Sequence, residues 1–300
     1  MTEAVTVKAH AKINLTLDVI GKRPDGYHDV EMIMQQISLH DVVTISLRDE
    51  DSQIHLTNTV SHLPTDSTNL AYRAAMLMRE AYGIQSGFNI HIEKHIPVAA
   101  GLAGGSTDAA AVITGIAKLM ALPAETASLE TIGLKIGADV PFCIRGGCAI
   151  ARGLGEILEP IKGLDYAWLL LVKPNFGVST KEVYGNLDLS AIETRPNTQA
   201  MVAALRDNQR VTVVSELCNV LETVTIKRYP EVAAIKKQLV SFGAEGVLMS
   251  GSGPTVFGFF KDLNRAKLAH KKMKRFYHQS YIVTTYNGEI PHKGELKGEF

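Results

Sequence analysis

Residues 97–111 read PVAAGLAGGSTDAAA, a run built mostly of Gly, Ala and Ser that leads straight into the apolar pattern VITGIAKLMAL. A flexible linker has such a composition but does not usually continue as a helix. The preceding residues, FNIHIEKHI (88–96), alternate as a strand does. Strand, small-residue loop and helix follow one another in the order an anion-binding loop needs. A helix beginning near Ser106 exposes unpaired N–H groups and the positive end of its dipole, and small residues ahead of it let a phosphate approach the backbone. A tight helix entry packed under a neighbouring strand would also call for small residues, so composition leaves both readings open.

The common phosphate and catalytic motifs do not fit. A Walker A loop needs Lys directly after its last Gly, whereas Gly105 is followed by Ser106 and Thr107. GSGPTV (251–256) has the first two glycines of a dinucleotide fingerprint and then Val256 in place of the third. Protein-kinase loops, H-E-x-x-H and G-x-S-x-G are absent, and no paired-cysteine metal framework occurs. The loop belongs to another class of phosphate binder.

Several elements must position it. Residues 5–19 alternate apolar and polar, which predicts a long half-buried strand, bent or bulged at its middle, with Lys12 and Asn14 on one face. GKRPDGYHD (21–29) is a turn centred on Pro-Asp-Gly, and residues 30–50 read as further strand. Asn69 and Gly83 bracket a helix over 69–82, and a second helix is expected at 125–136, ending at GADVPF (137–142). Residues 146–161 look like a strand pair and AWLLLVKPN (167–175) like a buried strand. Beyond 159 the pattern predicts helices at 197–208, 211–222, 230–242 and 263–277, and strands at GVLMS, TVFGFF and YIVTTY around the loop GSGP (251–254). The change of pattern places a domain boundary near 158, giving domains 1–158 and 159–300 of an α+β protein.

The chain has 300 residues, 46% hydrophobic and 21% charged, with 31 basic and 31 acidic side chains. That describes a soluble globular protein without the net positive charge of a nucleic-acid binder; the basic run KKMKR (271–275) reads as a solvated helix face. Three cysteines without a C-x-x-C pair, no secretory signal and no apolar run near 20 residues lead us to expect a cytoplasmic protein with no membrane partner.

The glycine-rich run resembles the signature of the GHMP kinases (galactokinase, homoserine kinase, mevalonate kinase, phosphomevalonate kinase). AKINLTLDVIGKRPDGYHDVEMIM near the start and LMSGSGPTVFGFF (248–260) near the end resemble the family's other motifs, so the likeness spans nearly the whole chain. Ala103 and Thr107 stand where Gly and Ser are common, both small changes that should preserve the loop. The resemblance implies a two-domain fold, an N-terminal domain of the ribosomal-protein-S5-like type and a C-terminal ferredoxin-like domain, with ATP and Mg²⁺ serving an alcohol phosphorylation in the cleft between them. It implies Asp139 as general base, assisted by Lys12; taken alone, Asp139 is a turn residue beside Gly137 and Pro141. Within the family, Lys12-Ile13-Asn14-Leu15, the Arg23–His28 turn, IGADVPF and GLGE are most similar to members that phosphorylate a cytidine-diphosphate-linked methylerythritol. That likeness implies that Tyr27 and His28 hold the cytosine, Asn14 orients the substrate and Tyr184 supplies an opposing aromatic face. It implies nucleotide contacts from Asn69 and Lys94 beside the adenine, and from Pro97, Gly101, Leu102, Ala103, Gly104, Gly105, Ser106 and Thr107 around the phosphates. No residue is assigned to the metal. Asp108 is either a first-turn carboxylate favoured by the helix dipole or a ligand group, and GSGP either touches ligand or is a strand turn.

Two other readings are open to the sequence. One is a kinase of the same family for another alcohol, such as homoserine or mevalonate; neither carries a base for Tyr27 and His28 to hold. The other is a non-catalytic ligand sensor, which would not need both Lys12 and Asp139.

Overall fold

The computed structural model describes residues 4–48 and 51–288. Two long strands, β1 (Ala4–Lys22) and β2 (His28–Arg48), pair antiparallel and form the spine of a seven-stranded sheet. One end of β2 pairs with β4 (Gly87–Glu93), which carries β3 (Ile54–Asn58). Its other end pairs with β5 (Cys148–Gly153), which carries β6 (Ile157–Ile161). A second sheet is four-stranded and antiparallel, in the order β11 (Gln279–Thr284), β7 (Trp168–Lys173), β10 (Val256–Phe260), β9 (Gly246–Met249). The passage from one sheet to the other comes between β6 and β7.

The register of β1 on β2 shifts between His10 and Lys12 and again between Asn14 and Thr16, so the expected bulge is real and re-aims those side chains. The strand is not half-buried along its length, however. Residues 11–19 are buried throughout: Ala11, Ile13 and Leu15 pack with Leu169, Leu171, Phe257 and Phe259 of the second sheet, while the polar Lys12, Asn14, Thr16 and Asp18 are taken up by Asp139, Met32, Ile33 and Arg195. The expected strand over 30–50 ends at Arg48; residues 49–50 lie outside the described residues.

Helices α1 (Leu70–Tyr82) and α2 (Gly104–Leu119) pack on the first sheet through Ala71, Ala74, Ala75, Met78, Ile113 and Ile116 against Val43, Ile45, Phe88 and Ile90. Asn69 caps α1 through Oδ1, which accepts from the Ala71 N–H, and Gly83 ends it in the left-handed region, as its sequence predicted. In α2, a methyl group on Gly115 would meet Ile45 Cδ1 at 2.4 Å, so the small residues of this helix set how near it lies to the sheet.

Helix α3 (Thr126–Leu134) is followed by a separate short α4 (Val140–Arg145), and α5 (Thr180–Gly185) follows β7. The expected helix at 211–222 is present only in its first half. After α6 (Thr198–Arg206) and α7 (Arg210–Ser215), Cys218–Asn219 form β8, which pairs parallel with Thr16 and Leu17 of β1. Helix α8 (Glu222–Arg228) begins only afterwards. Tertiary pairing overrode the local pattern here: Asn219 Nδ2 donates to the carbonyls of Met249 and Gly251, and its Oδ1 accepts from the Leu221 N–H. Helices α9 (Pro230–Ser241) and α10 (Leu263–Met273) cover the second sheet. No helix among the described residues is long and apolar enough to cross a membrane.

One buried ionic cluster ties the loop after β4 to α2. Lys94 Nζ donates to Asp41 and, at 2.6 Å, to Asp108 Oδ2, while Asp41 Oδ1 accepts from the N–H groups of His95 (2.5 Å) and Ile96 (2.8 Å). Asp108 Oδ1 is buried with no partner among the described residues. Burial pushes the Asp108 carboxyl up to about 8, Lys94 pulls the other way, and the Asp41 carboxylate adds to the rise. Lys94 itself is raised despite its burial, by Asp108 and Asp41. Burial thus favours the protonated form of Asp108 beside the Lys94 ammonium.

A carboxyl raised in the fold binds a proton that the unfolded chain has released, so its contribution to stability is complete below pH 4 and is lost as pH rises toward 8. Asp108→Asn removes that dependence while keeping the shape of the side chain. Unfolding midpoints in denaturant from pH 5 to 8 should decline with pH more steeply in the original protein than in the variant, by a slope of at most about 1.4 kcal/mol per pH unit. Parallel slopes would show that Asp108 stays ionised.

Candidate active site

Lys12 leaves β1 just after the first bulge, where its backbone N–H donates to the Leu102 carbonyl of the glycine-rich loop at 3.2 Å. Its side chain is buried, and Nζ lies 2.9 Å from Asn14 Oδ1 and 3.7 Å from Asp139 Oδ2. The longer distance is an ion pair and not a hydrogen bond. Asn14 is fully buried, with Nδ2 donating to Met32 Sδ, which orients its oxygen toward the ammonium.

Asp139 occupies the residue just before α4, with Pro141 in the first turn of that helix. Its carbonyl accepts from the Cys143 N–H at 3.1 Å, but its side chain makes no capping bond. The carboxylate is left to face Lys12 and is about one-third exposed, where a substrate could reach it. The bland reading of Asp139 as a turn residue accounts for its backbone only. Burial holds the nearby Cys143 thiol well above the usual range, so it is not a nucleophile.

The loop itself turns twice through the left-handed region, at Ala99 (φ 50°) and Ala103 (φ 60°), with Gly101 between them at 74°. Such conformations cost an alanine of order 1–2 kcal/mol, which is why glycine suits position 103 well. Helix α2 starts at Gly104, two residues before the expected point, and the Thr107 N–H is already bonded to the Ala103 carbonyl. The N–H groups of Gly104, Gly105 and Ser106 fall in the unbonded first turn, and no side chain caps them. Ala109 to Ala111 then bury the helix.

Not every expected ligand group is turned outward. Thr107 is buried and its hydroxyl donates to the His10 carbonyl at 2.7 Å, so it fastens α2 to β1. The Lys94 ammonium is held by Asp41 and Asp108, 3.5 Å from where a methyl group on Gly104 would sit. Asn69 spends its side chain on the α1 cap and on the Pro64 carbonyl. Leu102 and Pro97 are buried, and Gly105 is exposed.

The loop GSGP closes over the cradle from the second sheet. Ser250 Oγ donates to the Gly101 carbonyl at 2.9 Å, and Asn219 holds the Gly251 carbonyl. A side chain on Gly101 would place its first carbon 2.2 Å from the Ser250 carbonyl oxygen. Ser252 Oγ pairs with Thr180 Oγ1 at 2.9 Å at the start of α5. The sequence pointed to GSGP, with Ser252, but Asn219, Ser250 and Thr180 were missed; Asn219 lay inside an apparently helical run and offered no signal.

Tyr27 and His28 sit on the hairpin between β1 and β2. Gly26 (φ 87°) makes the turn, Asp25 accepts from the Tyr27 N–H, and Arg23 bonds both Asp25 and Asp29. Tyr27 is 65% exposed, available to an incoming ring. The His28 ring lies 5.4 Å from that of Tyr184 in α5. Burial and the Asp139 carboxylate raise the Tyr184 hydroxyl, so this ring connects the hairpin to the Lys12–Asp139 pair. His28 is lowered by burial and by Lys22, which favours the neutral imidazole, able to donate one hydrogen bond and accept another.

Comparison with known proteins matches both parts of the chain. Residues 69–147 match the GHMP kinases N terminal domain and residues 194–279 the GHMP kinases C terminal domain. The 4-diphosphocytidyl-2-C-methyl-D-erythritol kinase of Alkaliphilus metalliredigens is 49% identical over 94% of this chain and 97% of its own. The protein of the same name from Alkaliphilus oremlandii is 51% identical over 95% and 97%. Among solved structures, a 4-(cytidine 5'-diphospho)-2C-methyl-D-erythritol kinase superposes with a TM-score of 0.81 at 32% identity, covering 95% of this chain and all of that one. With its glycine-rich loop, its two sheets and both halves matched over almost its full length, the chain belongs to the GHMP kinases.

Proposed function

We propose that this protein transfers the γ-phosphoryl group of ATP to the 2-hydroxyl of 4-diphosphocytidyl-2-C-methyl-D-erythritol. The observation that carries the reading is the Lys12 ammonium set between Asn14 and Asp139, beside a helix start that can hold phosphates. The substrate is supported by relatives of that name at about half identity, and by the Tyr27–His28 hairpin facing Tyr184. A mevalonate or homoserine would leave that hairpin without a ring to bind.

Phosphoryl transfer asks the protein mainly for position and charge. The nucleotide phosphates lie along the N–H groups of residues 104–106, between the Gly101–Thr107 loop and GSGP. Asn69, Lys94 and Pro97 lie on the chain segments that border the adenine, with the Lys94 ammonium and the Asn69 amide already engaged within the fold. The substrate oxygen attacks the γ-phosphorus in line, the bond to the bridging oxygen breaks, and ADP leaves. The hydroxyl proton passes to Asp139 as the new O–P bond forms, and Lys12 offsets the negative charge growing on the attacking oxygen. No covalent enzyme intermediate is needed. Mg²⁺ would neutralise phosphate charge when bound with the nucleotide. We also propose a domain division near residue 158, the change of sheets between β6 and β7 being its support, and a cytoplasmic location, in keeping with three free thiols.

A coupled ADP-release assay with ATP, Mg²⁺ and each of the cytidine-linked alcohol, mevalonate and homoserine tests the substrate. Turnover should occur with the first alone; turnover with another would leave the catalytic pair standing and remove the role given to Tyr27 and His28. Asp139→Asn should lower kcat at least about a hundredfold with little change in ATP binding, and Lys12→Met by a similar factor. Tyr27→Ala should raise KM for the cytidine substrate about tenfold at nearly constant kcat, the loss of one stacked base. A fall in kcat alone would place Tyr27 elsewhere in the reaction.

A further inference from the structure

Lys173 ends β7 as a buried cation, 5% exposed, with no carboxylate partner among the described residues. Its ammonium donates only to two backbone carbonyls, Pro174 at 3.1 Å and Phe176 at 3.0 Å, and desolvation lowers its proton affinity. An unpaired buried charge is costly unless another charge answers it. Lys94, also buried, has two carboxylates, and Lys12 has one at 3.7 Å.

The ladder shows where Lys173 points. Leu169 and Leu171 on β7, with Phe257 and Phe259 on β10, face the cluster that contains Ile96, Ala100 and Leu102 of the glycine-rich loop. Val172 pairs with Val256, so Lys173 falls opposite Thr255 on that same face, next to GSGP. The Thr255 hydroxyl is fully buried and has no partner among the described residues. The turn held by the ammonium continues into Gly177, whose absent side chain would lie 3.0 Å from Ala99 Cβ, and into Thr180, bonded to Ser252.

We propose that Lys173 is a positioning residue of the nucleotide site, one that clamps the 174–177 turn against the glycine-rich loop and whose unanswered charge is balanced by the polyphosphate of the bound nucleotide. The inference rests on the nucleotide reading of the loop and adds to it a third cation, one that acts from behind the backbone. It accounts for a charge held inside the protein that the fold itself leaves uncompensated.

Three variants separate charge from shape. Lys173→Met removes both the charge and the clamp, Lys173→Gln keeps a donor for the carbonyls without the charge, and Lys173→Arg keeps the charge. Calorimetric titration with MgADP at two salt concentrations is combined with thermal unfolding of the ligand-free proteins. Both neutral variants should bind MgADP about tenfold more weakly with a shallower salt dependence. Their ligand-free midpoints should stay level or rise, and Lys173→Arg should recover most of the affinity. KM for ATP should rise in the neutral variants while kcat changes less. Affinity within twofold of the original in Lys173→Gln would overturn the role of the charge, as would a fall in the ligand-free midpoint together with unchanged binding. Failure of the original protein to bind MgADP at all would instead defeat the nucleotide reading and this inference with it.

Discussion

The backbone of Gly101 lies against the carbonyl of Ser250 with no room for a side chain between them, and the rest of the site depends on that approach. It joins the loop that follows β4 of the first sheet to the loop between β9 and β10 of the second. Lys12 takes its place from the same join, because its N–H bonds the Leu102 carbonyl and its neighbour Asn14 lies beside Gly251. Asn219 of β8 completes it by holding Gly251 from below. The proposed phosphate cradle is made by two chain segments far apart in sequence, and its geometry is a property of how the sheets dock.

Charge is distributed around the cradle in an ordered way. On one side the buried Lys12 ammonium faces the partly exposed Asp139 carboxylate, and in the proposed function a substrate proton and a transferring group meet there. Behind α2, Lys94 bonds both Asp41 and Asp108, and burial favours the protonated form of Asp108. The cluster fixes the helix with less negative charge behind it than two free carboxylates would place there. Thr107 does comparable mechanical work from β1, with its hydroxyl turned inward to His10.

Much of this was legible in the sequence, and the reasons differ by element. Alternation identified β1, and the small-residue run after a strand identified a loop that opens a helix, because both are local statements about pleat and backbone access. Caps identified α1 at both ends. Family likeness, not spacing, brought Lys12, Asp139 and the Tyr27–His28 hairpin together, since they lie on separate elements more than a hundred residues apart in the extreme case. What was not legible was set by long-range contacts: the burial of Lys12, Asn14, Thr16 and Asp18 of β1 by partners elsewhere in the chain, the early end of a helix at Ser215 with β8 in place of its second half, and the inward turn of Thr107 and Lys94. A hydroxyl and an ammonium in a glycine-rich loop look like ligands until the structure shows carbonyls and carboxylates already using them.

The most direct measurement is MgADP affinity of Gly101→Ala, set beside its circular dichroism and thermal midpoint. The added methyl group meets the Ser250 carbonyl and sits at a φ that alanine resists. If the docked loops form the nucleotide site, binding is lost by at least about a hundredfold while the secondary structure of both sheets is retained. Near-normal affinity in a folded variant would contradict the account, because it would mean that the cradle does not need the contact from which its geometry has been derived.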